Sequence, residues 1–150
     1  MSESKWIEKE IAELVAEHGT VPPPYLKYPD MHPFSIFWRM GSGESYMMVF
    51  WGWWEQNAEM DERKRIEYIQ KFPPPPLWLT WAIHLIWYPD DEEMEMDPEE
   101  TDYSISFERM EALGLGTEEE CKRAWALDNE RVEAEIKARD EKKSEEESAK

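Results

Sequence analysis

The residues with the clearest chemical potential cluster in Arg39-Met40-Gly41-Ser42-Gly43-Glu44, with His32 a short way upstream. A glycine turn that leads into a helix leaves backbone N–H groups unpaired, and these suit an anion. Arg39 adds a planar donor able to hold a carboxylate or phosphate through two bonds. His32, Arg39, Gly41, Gly43 and Glu44 are therefore the candidate ligand-binding residues, forming a polar pocket rimmed by Trp38 and Trp51. The spacing matches neither a P-loop nor a dinucleotide fingerprint, and Glu44 would repel a phosphate. The plainer reading of the same residues is a tight turn pinned by an Arg39–Glu44 pair. The glycines flank Ser42 directly, unlike a nucleophile elbow, and no partner histidine is identified, so no catalytic residue is assigned.

Metal chemistry has little to stand on. His18, His32 and His84 lie far apart, and none has a two-ligand spacing. The acidic stretch after Pro89 lacks the alternating aspartates and the glycine of a calcium loop. No metal and no cofactor is expected. Cys121 follows Glu118, Glu119 and Glu120, whose charge disfavours a thiolate, so it reads as a small buried apolar residue.

Two other features suggest contact with a partner. Trp38, Trp51, Trp53, Trp54, Trp78, Trp81 and Trp87 fall within fifty residues. Most must be core, but a small core rarely encloses so many, and tryptophan is a preferred interface anchor. Trp38, Trp51, Trp53 and Trp54 are taken as candidate contact residues. The second feature is charge. The chain of 150 residues has a net charge of −18, of which −10 falls in residues 89–117 and −4 in each of the flanking parts. Asp90, Asp91, Glu92, Glu93 and Glu95 form its densest run. This run is read as a solvated linker, as a docking strip for a basic protein, or as a mimic of nucleic acid. Direct binding of nucleic acid is not expected, because that needs a basic footprint.

The elements that would position these residues follow from periodicity and punctuation. Ile7, Ile11, Leu14 and Val15 make one face of a helix over 4–18, which Gly19 stops. Residues 21–33 carry Pro22, Pro23, Pro24, Pro29 and Pro33, so they form an extended strap over the core. A second reading makes the strap a ligand for an aromatic groove. Residues 44–56 read as a helix with Met47, Trp51 and Trp54 on one face; the alternative is an aromatic hairpin over 34–54, with the glycines as its turn. A helix over 60–72 ends at Pro73, and Pro76 opens an apolar helix over 77–88, the expected centre of the fold. Residues 90–102 hold nine acidic residues and read as loop or linker. A short helix over 104–113 is closed by Gly114.

Thr117 and Glu120 form a capping box that opens a long helix. Its apolar stripe is Cys121, Trp125, Val132 and Ile136, with Asp128 in the seam. Glu118–Lys122, Glu119–Arg123, Glu133–Lys137 and Glu135–Arg139 are i,i+4 pairs in the favourable orientation. This helix is expected to fray beyond about Asp140.

The fold expected is all-α: a Trp- and Pro-rich helical domain over 1–89, an acidic linker over 90–103 and a helical arm over 104–150. The structural alternative is a small α+β domain. The charged first ten residues show no leader, and the longest apolar run, near 77–88, is too short to cross a bilayer, so a cytoplasmic protein is expected, with no membrane contact. The function expected is a non-enzymatic module that engages a basic protein. The alternatives are a small-ligand binder or enzyme at the Arg39–Glu44 turn, and a structural subunit of a larger assembly. The oligomeric state is not specified by the sequence.

Overall fold

The computed structural model describes residues 2–57, 59–88 and 96–148, with side chains from residue 5 onward. Among the described residues the regular structure is helical throughout. The α-helices are α1 (Ser2–His18), α2 (Pro24–Lys27), α3 (Gly41–Gln56), α4 (Glu62–Lys71), α5 (Leu79–Trp87), α6 (Ser104–Ala112) and α7 (Glu118–Ser148). Two short 3₁₀ helices, Ile36–Arg39 and Pro76–Trp78, precede α3 and α5. Residues 34–54 contain no strand, so the hairpin alternative is not adopted.

α5 is the centre of the core, as its unbroken apolar sequence requires. Every residue from Leu79 to Ile86 is buried, and Pro76 opens the preceding 3₁₀ turn. α3 crosses this centre with Tyr46, Val49, Phe50, Trp53 and Trp54 inward, a helical spacing. Of the Met47, Trp51 and Trp54 face, Trp54 belongs to this buried set, and Met47 and Trp51 pack partly buried against the core. The Phe50 ring meets Trp54 and Trp81, and Trp53 meets Tyr68 of α4. α1 crosses α3 at Gly52, where an added Cβ would lie 3.2 Å from Ile7 Cγ2.

The proline strap is not extended throughout, because Pro24–Lys27 form α2, and its first part is buried for a specific reason. Val21, Pro22, Pro23, Pro24 and Tyr25 are all enclosed. Proline has no N–H, so burying this segment leaves mainly carbonyl groups to satisfy. Tyrosine hydroxyls do so: Tyr68 donates to the Val21 carbonyl at 2.6 Å and Tyr46 to Pro22 at 2.7 Å. Tyr25 donates to the carbonyl of Phe72 in return. Burial pushes the ionisation of all three phenols well above its usual range, so each stays a donor. Tryptophans serve the irregular backbone in the same way. Trp38 Nε1 donates to the His32 carbonyl at 2.9 Å, Trp78 Nε1 to Met31 at 2.8 Å and Trp125 Nε1 to Leu77 at 3.1 Å.

The hydrophobic core runs on beyond residue 89. Met96, Tyr103, Phe107, Met110, Leu115, Cys121 and Trp125 join the same buried cluster as α3 and α5. Residues 96–103 are thus not a free linker: Met96, Pro98 and Tyr103 are buried, and Asp97 caps a turn by accepting from the Glu99 N–H at 2.8 Å. His84 Nε2 and the Tyr103 hydroxyl lie 2.7 Å apart and tie this segment to α5. Among the described residues, no helix is long and apolar enough to cross a membrane.

Candidate functional site

The structure separates the residues that the sequence grouped at the glycine turn. Gly41 and Gly43 are not a turn before a helix but the first residues of α3 itself. Gly41 adopts φ +58°. Gly43 is buried against the preceding 3₁₀ turn, where an added Cβ would sit 2.2 Å from the Phe37 carbonyl oxygen and 2.8 Å from the Phe37 ring. Glycine is needed here for close approach of two helical segments rather than for access by a ligand. Arg39 and Glu44 are both exposed, and among the described residues no ion pair joins them. The turn is held by the packing of Phe37 on Gly43, not by a charge pair.

His32 faces α7. Its Nδ1 accepts the Phe34 N–H at 3.0 Å, which places the proton of the neutral ring on Nε2. The ring meets Trp125 edge to face with centroids 4.2 Å apart, and Phe34 meets the same indole at 5.8 Å. Beside them lies a groove of about 290 Å³, walled by Met31, Phe34 and Ser35 on one side and by Asp128, Arg131 and Val132 of α7 on the other. Arg39, Gly41, Gly43 and Glu44 do not line it. Burial lowers the pKa of His32, against the opposing pull of Asp128 and Asp97.

The aspartate in the apolar seam has its explanation here. Asp128 accepts from Arg131 Nη2 at 3.0 Å, and Arg131 Nη1 donates to Glu135 at 2.7 Å. These two carboxylates raise the pKa of Arg131. Asp128 therefore marks the point at which α7 leaves the core and begins a charged surface. Sequence reasoning missed this role; the signal available was the i,i+3 and i,i+4 spacing of Arg131 to its two carboxylates.

The tryptophans are mostly structural. Trp38, Trp53 and Trp54 are each 7% exposed and belong to the core, which removes them as surface contacts. Trp51 is half-buried against Phe50 and Trp81. The body encloses more tryptophan than expected because the rings pack on one another, often edge to face. Asp90, Asp91, Glu92, Glu93 and Glu95 lie outside the described residues.

What reaches solvent instead is α7. Thr117 caps the helix, with the Glu120 N–H donating to Thr117 Oγ1 at 3.2 Å and the Thr117 hydroxyl donating to Glu120 Oε1 at 3.0 Å, and Lys122 pairs with Glu118 at 3.0 Å. Cys121 and Trp125 are buried, whereas every residue from 131 to 148 is exposed. Burial pushes the Cys121 thiol up to about 12, as expected of a structural cysteine. The helix continues to Ser148, past the point near Asp140 where fraying was expected. Among the described residues, no group of three or more His, Cys, Asp and Glu side chains is placed to hold a metal ion.

No model of a known protein family, no curated protein and no solved structure matches the chain.

Proposed function

We propose that this protein is a non-enzymatic binding module whose contact element is the free length of α7 together with the groove at its root. The observation that carries this reading is the continuation of the apolar stripe. Cys121 and Trp125 dock it on the core; Val132 and Ile136 prolong it into solvent at 38% and 49% exposure. Met31 and Phe34, at 38% and 46%, flank its root. A helix that exposes part of its apolar stripe beside a groove holding Met31, Phe34 and Val132 suits a second surface that covers both. Residues 126–148 carry nine acidic and five basic side chains, and the chain as a whole is strongly acidic. The partner that fits is a basic protein with an apolar seam, attracted by charge and held by the stripe.

The test is comparative capture from native lysate. The full chain is set beside Val132→Asp/Ile136→Asp, whose substitutions leave the body untouched. A basic protein retained by the wild type, absent from the double variant and released as salt rises is the expected result, because exposed charges are screened beyond about 8 Å at physiological ionic strength. The same proteins on both baits would contradict the reading.

A further inference from the structure

A second cleft lies on the body between α1, α2 and α3, and has a volume of about 270 Å³. Its floor is apolar, made by Leu14, Val49 and the Tyr46 ring. One wall is Trp6, whose indole is 40% exposed on α1. Lys27 Nζ stands 5.1 Å from the centroid of Tyr46 and 5.6 Å from that of Tyr28, held by ring faces. Like most lysines and arginines of the chain, Lys27 belongs to none of the ion pairs among the described residues. Glu10 lines the same cleft and is likewise in none of those pairs. Ser42 and Ser45, on the first turns of α3, add two hydroxyls to the rim.

The cleft thus offers one positive and one negative group, Lys27 and Glu10, that form no ion pair with each other, together with apolar lining residues. A polyanion such as a nucleotide would meet Glu10 unfavourably, and a simple cation would meet Lys27. A small molecule carrying both charges and an apolar body satisfies both. Pockets for drug-sized ligands span about 300–1,000 Å³, so this one suits something smaller. We propose that it binds a free α-amino acid with a large apolar side chain. The carboxylate meets Lys27 and the serine hydroxyls, the ammonium meets Glu10, and the side chain lies between Trp6 and the floor.

The test uses the full chain and three probes: L-phenylalanine, N-acetyl-L-phenylalanine, which lacks the ammonium, and L-phenylalaninamide, which lacks the carboxylate. Backbone amide signals of Ser42 and Ser45 and the Trp6 indole signal are followed by NMR during titration. Saturable shifts with L-phenylalanine, and at least tenfold weaker binding of each blocked probe, are expected. Lys27→Met should abolish the preference over the amide, and Glu10→Gln the preference over the N-acetyl form. The amide spectrum reports that each variant retains its fold. Absence of saturable shifts, or equal binding of all three probes to the wild type, would overturn the proposal.

Discussion

Residues 118–125 and residues 126–148 belong to one helix, yet they meet opposite surroundings. The first part inserts Cys121 and Trp125 into the core; Trp125 is gripped by His32 and Phe34 and donates to the Leu77 carbonyl. From residue 131 onward the second part is exposed throughout, and it carries Arg131 paired with Asp128 and Glu135. Starting a helix is costly whereas extending one adds a hydrogen bond per residue, so the docked turns act as the nucleus from which the free length propagates. The same sequence period serves burial in one part and presentation in the other.

That contrast can be broken first at Trp125. Trp125→Ala removes the largest docked side chain of α7 and leaves the Leu77 carbonyl without its donor. Loss of stability by about 3–5 kcal/mol is expected in chemical denaturation, with α7 released along its whole length. A second substitution tests the body alone. Gly43→Ala forces a methyl group against the Phe37 carbonyl and should cost about 1–3 kcal/mol, while the helicity of α7 stays unchanged.

The root of the arm should also respond to pH. Burial holds the pKa of His32 below its usual value in the folded state, so the folded chain binds fewer protons there than the unfolded one. The associated stability is present above the ordinary histidine pKa and is lost as pH falls towards the lowered value. In His32→Asn the amide oxygen can still accept the Phe34 N–H, but the group does not titrate. The difference in melting temperature between wild type and this variant should therefore shift in the variant's favour between pH 7.5 and pH 5.5 (measured by calorimetry).

The smallest effect belongs to the free length. Val132→Ala or Ile136→Ala should change the stability of the isolated chain by no more than about 0.5 kcal/mol, because neither side chain has a core to lose.

Most element boundaries were legible because they rest on local chemistry. Gly19 ends α1 at φ +84°, Pro76 opens the approach to α5, and Thr117 with Glu120 starts α7. What the sequence could not show was which neighbour comes close. Gly43 is glycine because Phe37 lies against it, and that contact has no signature in the order of residues. Residues 96–103 looked like a charged linker, yet Met96, Pro98 and Tyr103 anchor them; three apolar side chains outweigh the charges between them once a core surface is near. Trp38, Trp53 and Trp54 are candidate contacts only on the limited capacity expected of a small core, whereas mutual ring packing makes room for them inside. At Arg39–Glu44 the structure shows Phe37 packed on Gly43 beside two exposed charges, while His32 faces Trp125 of α7. The stripe of α7, by contrast, was readable in full; only the meaning of Asp128 needed its neighbours.

Amide hydrogen exchange along α7 in the isolated full chain tests the division of this helix most directly. The account predicts strong protection around Cys121 and Trp125, falling steeply after Asp128, with fast exchange from residue 131 to residue 148. Uniform protection to residue 148 in the isolated monomer would contradict it, because the free length would then already have a partner surface within the chain.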